Sequence, residues 1–74
     1  MTKLITAKEI SAKFGLSYQT INRYTDAGLL GIINKKGNIR FYSRSQVCKR
    51  IKQIDGLSRQ GYSLLLIRRK LVGI

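Results

Sequence analysis

Hydrophobic positions near the start of the chain recur at helical spacing. In residues 7–14 they lie three or four positions apart, which places them on one face of a helix. Thr6 and Glu9 form the T-x-x-E pattern of a capping box, in which each side chain accepts a hydrogen bond from the other residue's backbone N–H. Gly15 suits the left-handed conformation that commonly ends a helix. The pattern therefore predicts a first helix over residues 7–14.

A second short helix is predicted after a very short turn. Ser17 is placed to cap its start, Ile21 and Tyr24 lie one turn apart on one face, and Gly28 ends it. Two short helices joined by so tight a turn cannot run antiparallel as in a bundle hairpin. They cross instead, as in a helix-turn-helix.

Residues 31–42 have a different pattern, typical of a β-hairpin. β-branched and aromatic runs over 31–33 and 39–42 flank the polar segment 34–38, which contains a glycine and two lysines. We predict two short strands joined by a basic tip. Alternation along the second strand directs Phe41 to the core. Tyr42 is either structural or in contact with a bound phosphate, and we favour the phosphate.

Two further helices are predicted after the hairpin. Ser43 and Gln46 form a second capping-box pattern before an apolar stripe over residues 47–54, and Gly61 closes this helix. The last helix follows Ser63, and its apolar positions are Leu64, Ile67 and Leu71. The order helix, helix, hairpin, helix, helix predicts a mostly α fold, a winged helix-turn-helix with a small two-stranded wing.

The composition of the chain indicates what class of partner the predicted domain binds. The chain has 74 residues, which suits a single small domain over 1–74. It carries 15 lysines and arginines against three acids, a formal net charge of +12. This excess suits a polyanion, because affinity for nucleic acids comes largely from neutralising phosphates.

The residues that catalysis and metal binding require are scarce. The chain has one cysteine, Cys48, and no histidine, which excludes an internal disulfide and a Cys/His metal cage. Without histidine no nucleophile–base pair can be built. We expect no enzyme activity, no cofactor and no metal. No apolar run is long enough to cross a bilayer, so we expect no membrane partner and a cytoplasmic, nucleoid-associated protein of bacterial or phage origin.

Short motifs along almost the whole chain resemble the N-terminal DNA-binding domain of MerR-type transcriptional regulators. They are Ile5-Thr6-Ala7-Lys8-Glu9-Ile10, Gly15-Leu16-Ser17, Thr20-Ile21, Gly28-Leu29-Leu30, Arg40-Phe41-Tyr42-Ser43 and Gly61-Tyr62-Ser63-Leu64. The resemblance implies that the second helix enters the major groove and that the hairpin lies on the flanking backbone. The chain has Asn22-Arg23-Tyr24 where the family commonly has Arg-Tyr-Tyr, so the recognised DNA sequence is not inherited.

The second helix carries the residues expected to read bases. Asn and Gln pair with adenine and Arg pairs with guanine, each contributing about 1–3 kcal/mol of discrimination. The base-reading candidates are Ser17, Tyr18, Gln19, Asn22 and Arg23. The alternative is that these are solvated polar residues of a helix surface.

A second set is expected to contact the DNA backbone and fix the register of binding. It consists of Thr20, Tyr24, Lys35, Lys36, Arg40 and Tyr42. The resemblance assigns Tyr24 to a phosphate and matches Arg40 to the arginine of the family's wing. Lysines at a hairpin tip also serve solubility, which is the alternative for Lys35 and Lys36.

Leu65 and Leu66 face away from the buried stripe of the last helix. We expect them to contact another copy of the chain or a further C-terminal segment, which makes self-association a prediction.

Several alternatives to a transcription regulator stay open at this point. The chain is either an excised domain or a short natural protein. An excisionase-like DNA-bending factor of a phage or mobile element and the DNA anchor of a segregation protein share the predicted fold. A small RNA-binding protein shares the charge but needs an exposed aromatic sheet.

Overall fold

The computed structural model describes residues 3–73, which form a helical domain around a small antiparallel sheet; the ends of the predicted 1–74 domain lie outside them. In chain order the elements are β1 (Leu4–Thr6), α1 (Ala7–Phe14), α2 (Tyr18–Asp26), β2 (Ile32–Lys36), β3 (Ile39–Ser43), α3 (Arg44–Arg59) and α4 (Leu64–Val72). The sheet order β1-β3-β2 places β3 at the centre. The predicted winged helix-turn-helix is confirmed.

The start and end of α1 are those predicted from the sequence. The backbone N–H of Glu9 donates to Thr6 Oγ1 at 3.2 Å, and the backbone N–H of Thr6 donates to Glu9 Oε1 at 3.0 Å. The backbone bond from Thr6, then its hydroxyl, and then the charge of Arg44 hold the pKa of Glu9 below its usual value. Gly15 ends the helix in the left-handed region, with φ 67°.

Helix α2 also begins and ends where the sequence predicts. Ser17 Oγ accepts a hydrogen bond from the backbone N–H of Thr20 at 3.1 Å. Gly28 adopts φ 80°, and the N–H of Leu29 then reaches back to the carbonyl of Tyr24 at 2.9 Å. This is the Schellman arrangement, which satisfies carbonyls at the helix end and turns the chain sharply towards the core.

Strand β1 was missed by the sequence analysis, so the sheet has three strands in the described residues and not two. Its centre is paired through Ile5 with Tyr42 of β3. A strand of only three residues that runs directly into a helix cap has too little alternation to be recognised. It forms because the edge of β3 offers it hydrogen-bonding groups.

The wing hairpin has longer strands and a tighter turn than predicted. The residues expected at its tip, 34–36, belong to β2, and only Gly37-Asn38 form the turn, with φ 60° at the glycine. The register shifts between Ile32 and Asn34, where a bulge places one extra residue in β2. Lys35 and Lys36 therefore belong to a strand that is paired with β3, and not to a loop at the tip.

The start of α3 is capped less completely than predicted. Ser43 Oγ accepts from the backbone N–H of Gln46 at 3.4 Å. The Gln46 side chain does not return the bond, because its Oε1 accepts from the backbone N–H of Gly31 at 3.2 Å. It thus fastens α3 to the segment that follows α2. The end of α3 at Gly61, with φ 93°, is as predicted.

Two apolar clusters form the core. The first joins the sheet to α1, α2 and the start of α3, and its buried members are Ile5, Ile10, Ile21, Leu30, Tyr42 and Val47. The second joins α3 and α4 to the C-terminal end of α2, and its buried members are Leu29, Ile54 and Ile67. As predicted, Leu65 and Leu66 point away from both clusters, with 57% and 44% of their surface exposed.

Candidate nucleic-acid interface

A groove of about 660 Å³ lies between the start of α2 and the tip end of β3. Because it joins the recognition-helix candidate to the wing, we call it the reading groove. Its lining residues are Thr6, Ala7, Lys8, Tyr18, Asn22, Asn38, Ile39 and Arg40. Two separately predicted parts, the second helix and the hairpin, therefore share one surface.

The predicted base-reading residues are all exposed, and two of them line the reading groove. Tyr18 and Asn22 face β3 across it. Gln19 and Arg23 are exposed on α2 but do not line the groove. The hydroxyl of Ser17 serves as the helix cap and lies 2.9 Å from Thr20 Oγ1, so its first role is structural.

The wing places three of the predicted backbone-contacting residues close together. Lys35 pairs directly with Arg40 across the two strands, and Lys36 pairs with Ile39 at the tip. Like charges that face each other across strands repel, which destabilises the pair in the absence of an anion. Arg40 is half-buried in the reading groove, and both lysines are exposed. The wing therefore presents concentrated positive charge next to Tyr18 and Asn22.

The prediction that Tyr42 contacts a phosphate is wrong. Tyr42 is fully buried, with 0% of its surface exposed, and its hydroxyl lies 3.0 Å from Thr25 Oγ1. The error lies in the phase of the alternation along β3, because the sequence analysis directed Phe41 to the core and Tyr42 to the surface. β3 is the central strand, and Tyr42 points into the first core cluster. Phe41, which was expected in the core, is only half-buried.

Tyr24 and Thr20 occupy intermediate positions on α2. Both are half-buried, and Tyr24 packs against both core clusters. This agrees with the predicted position of Tyr24 on the same helix face as Ile21, while a contact from its hydroxyl to a phosphate stays a prediction.

Sequence reasoning missed five residues that line the reading groove: Thr6, Ala7, Lys8, Asn38 and Ile39. The sequence analysis assigns Thr6 a capping role, places Asn38 and Ile39 in the hairpin, and assigns no DNA contact to Lys8. Lys8 is the second residue of α1, two positions after the Thr6 cap. No local pattern could show that the start of α1 borders the wing, because that juxtaposition depends on β1 pairing with β3.

The cations of this surface have no carboxylate partner within residues 3–73. The one ion pair in that range joins Asp55 to Arg59 on α3, at 3.1 Å between Asp55 Oδ2 and Arg59 Nη2. The remaining described acids are Glu9, held by its cap, and Asp26. Uncompensated positive charge on this surface favours a polyanionic partner.

These features define a winged helix-turn-helix domain of the DNA-binding class. The model of the MerR HTH family of regulatory proteins matches residues 5–73, so the chain belongs to that family. Membership implies DNA binding and transcription regulation. Neither the curated proteins nor the solved structures compared with the chain include a match.

Two further observations concern the described residues only. None of their helices is long and apolar enough to cross a membrane. They contain no group of three or more histidine, cysteine or acidic side chains placed to hold a metal ion.

Proposed function

We propose that this chain binds double-stranded DNA sequence-specifically and regulates transcription from that site. In this proposal the start of α2 enters the major groove while one sugar-phosphate strand passes through the reading groove. The observation that carries the proposal is the reading groove itself, in which Tyr18 and Asn22 of α2 face Arg40 of the wing. A strand held there is contacted by the reader and the wing together.

Base recognition is assigned to the exposed polar face of α2. The Asn22 and Gln19 amides can each form two hydrogen bonds with adenine, and the Arg23 guanidinium can form two with guanine. Each good pair contributes about 1–3 kcal/mol of discrimination. Ser17 and Tyr18 complete the candidate set. The Tyr18 ring is 53% exposed, which leaves it free to contact a base or a sugar.

Contacts with the DNA backbone are assigned to the wing and to two half-buried residues of α2. Lys35, Lys36 and Arg40 supply cations, and a phosphate beside them would relieve the repulsion between the paired Lys35 and Arg40. Thr20 and Tyr24 supply hydroxyls. Such contacts set the register of the protein on the duplex but carry no sequence information themselves.

The decisive experiment selects binding sites from random duplexes and compares the selected site with a scrambled one. Arg23→Ala should reduce the ratio of specific to nonspecific affinity about 5- to 150-fold, the equivalent of 1–3 kcal/mol. Arg59→Ala is the matched control, since Arg59 is exposed and lies on α3. An unchanged ratio in Arg23→Ala would show that α2 is not the reader.

The symmetry of the selected site separates the regulator from its alternatives. Inverted half-sites indicate a two-fold symmetric regulator, whereas tandem direct repeats indicate an array-forming excisionase-like or segregation protein. Competition by RNA duplexes of equal length tests the remaining alternative. Effective competition by RNA would contradict a DNA reader.

A further inference from the structure

A second basic groove lies between α3 and α4, with a volume of about 600 Å³. We call it the rear groove. Its lining residues are Ser45, Gln46, Lys49, Arg50, Gln53, Lys70 and Leu71, which share no member with the reading groove. Three of the seven are cations and none is an acid. The groove therefore has the charge of an anion-binding surface.

Two of its cations are held in place by contacts with neighbouring groups. Arg50 Nη1 donates to the carbonyl of Leu71 at 3.2 Å, which fastens α3 to the end of α4. Lys70 Nζ lies 4.8 Å from the centre of the Tyr62 ring, within range of a cation–π attraction. Neither contact neutralises the charge. The side chains are thus partly ordered before any anion binds, which lowers the entropic cost of binding.

The rear groove lies between the two helices that pack against the C-terminal end of α2, whereas the reading groove lies at the start of α2. Tyr18 and Asn22, near the start of α2, line the reading groove. At the other end of α2, Tyr24, Ala27 and Leu29 pack into the second cluster with α3 and α4.

Two hydrogen bonds mark the same end of the molecule. Thr25, in the last turn of α2, bonds Tyr42 just before α3 begins. Gln46, which lines the rear groove, bonds Gly31 after α2 ends. Lys49 and Lys70 therefore belong to a surface separate from the residues that line the reading groove.

We propose that the rear groove binds the backbone phosphates of a second DNA duplex, so that one molecule holds two duplexes together. The proposal rests on the proposed function for the first duplex. A second copy of this chain is a poor match for the three cations of the groove, because each copy offers only three acids against 15 lysines and arginines. An acidic peptide would need apolar pockets for its anchoring side chains, and Leu71 is the one apolar residue of the lining. Phosphates need only cations and polar donors, which the groove supplies.

The test is a capture experiment with two duplexes. The selected duplex is immobilised, protein is bound at low salt, free protein is washed away, and a labelled duplex of random sequence is added. The wild type should capture the labelled duplex. Lys49→Gln with Lys70→Gln should bind the immobilised duplex as the wild type does but reduce capture about tenfold or more, since two phosphate contacts are lost.

The control is Lys3→Gln with Lys13→Gln, which also removes two positive charges. One of them lies on α1 and the other directly before β1. The match is close, because Lys13 also lies over an aromatic ring, that of Phe14 at 5.7 Å. This control should capture the labelled duplex normally. Circular dichroism melts establish that both double variants fold.

Five results would overturn the proposal. The first is no capture by a wild type that binds the first duplex, and the second is undiminished capture by the variant Lys49→Gln with Lys70→Gln. The third is weaker binding of the first duplex by that variant, and the fourth is loss of capture in Leu65→Ser with Leu66→Ser. The third would place the rear groove on the same duplex, and the fourth would assign bridging to contacts between copies. The fifth result concerns competitors. If poly-glutamate displaces the labelled duplex at a much lower concentration of negative charge than competing DNA needs, the groove binds an acidic protein and not DNA. Failure of the wild type to bind the first duplex would instead contradict the proposed function.

Discussion

At the scale of single residues, Tyr42 connects α2 to the wing. It lies on the central strand, paired with Ile5 on one side and Ile32 on the other. Its hydroxyl meets Thr25 Oγ1 at 3.0 Å, and the Thr25 hydroxyl in turn lies 2.8 Å from the carbonyl of Ile21. A buried tyrosine needs a partner for its hydroxyl. Here that partner belongs to α2, so the bond sets how α2 lies against β3.

Tyr42→Phe should lower the free energy of unfolding by about 1 kcal/mol, the usual net value of one hydrogen bond. The ring stays in place, so no cavity forms. Urea denaturation measures the loss, and Thr25→Val should cost a similar amount without adding to it in the double variant. If Tyr42 contacted a phosphate instead, Tyr42→Phe would leave stability unchanged and shallow the salt dependence of DNA binding.

At the scale of elements, local hydrogen bonds decide where the helices begin. Each helix follows a serine or threonine whose hydroxyl accepts from a backbone N–H three residues later; these residues are Thr6, Ser17, Ser43 and Ser63. The reading groove depends on two such starts, because Thr6 precedes α1 beside the wing and Ser17 orients the first turn of α2. The caps therefore position functional surface as well as stabilise helices.

The cap of α1 should make stability depend on acidity. Because the folded state lowers the pKa of Glu9, the stabilisation from its carboxylate is complete above the ordinary glutamate range. It is lost as the pH falls through that lowered pKa. Urea melts of the wild type and Glu9→Gln across the acid range should show the wild type losing its advantage there. An advantage that persists in strong acid would mean that the charge of Glu9 contributes nothing.

The cap hydroxyl itself is tested separately. Thr6→Ala should lower the free energy of unfolding by about 1 kcal/mol at neutral pH, because the backbone N–H of Glu9 loses its partner. Thr6→Ser, which keeps the hydroxyl, is the matched control. Equal losses in both variants would indicate packing as the cause.

The wing should contribute affinity without specificity. Lys35→Ala with Lys36→Ala is expected to weaken binding to all duplexes alike and to shallow the slope of log K against log salt by about 0.9 per lost phosphate contact. Binding measured over a salt series checks both effects. A changed preference between selected and scrambled duplexes would place these lysines at bases, and a steeper slope would contradict the wing assignment.

At the scale of the whole molecule, charge and apolar surface are distributed unevenly. One basic groove lies between α2 and the wing and the other between α3 and α4, while Leu65 and Leu66 lie exposed on α4 and line neither groove. A net charge of +12 makes copies repel each other in solution at low salt. DNA neutralises that charge, so any contact between copies is strongest when they are bound side by side.

Self-association through Leu65 and Leu66 is therefore expected on DNA. Analytical ultracentrifugation should show the free wild type as a monomer and a duplex of two adjacent sites filled cooperatively. Leu65→Ser with Leu66→Ser should abolish the cooperativity and leave binding to a single site unchanged. Identical behaviour of wild type and variant on the double site would remove this role for the leucines.

The sequence by itself determined the helices, the hairpin, the exposed polar face of α2 and the anionic partner class, because caps, glycine stops and helical spacing act over a few residues and charge needs no fold. Tertiary structure alone decided the pairing of β1 with β3, the burial of Tyr42 and the bond from Gln46 to Gly31. It also brought Lys8 and Ile39 to the reading groove and created the rear groove. Each of these features depends on contacts between residues that are distant in the chain. Local sequence patterns do not predict such contacts.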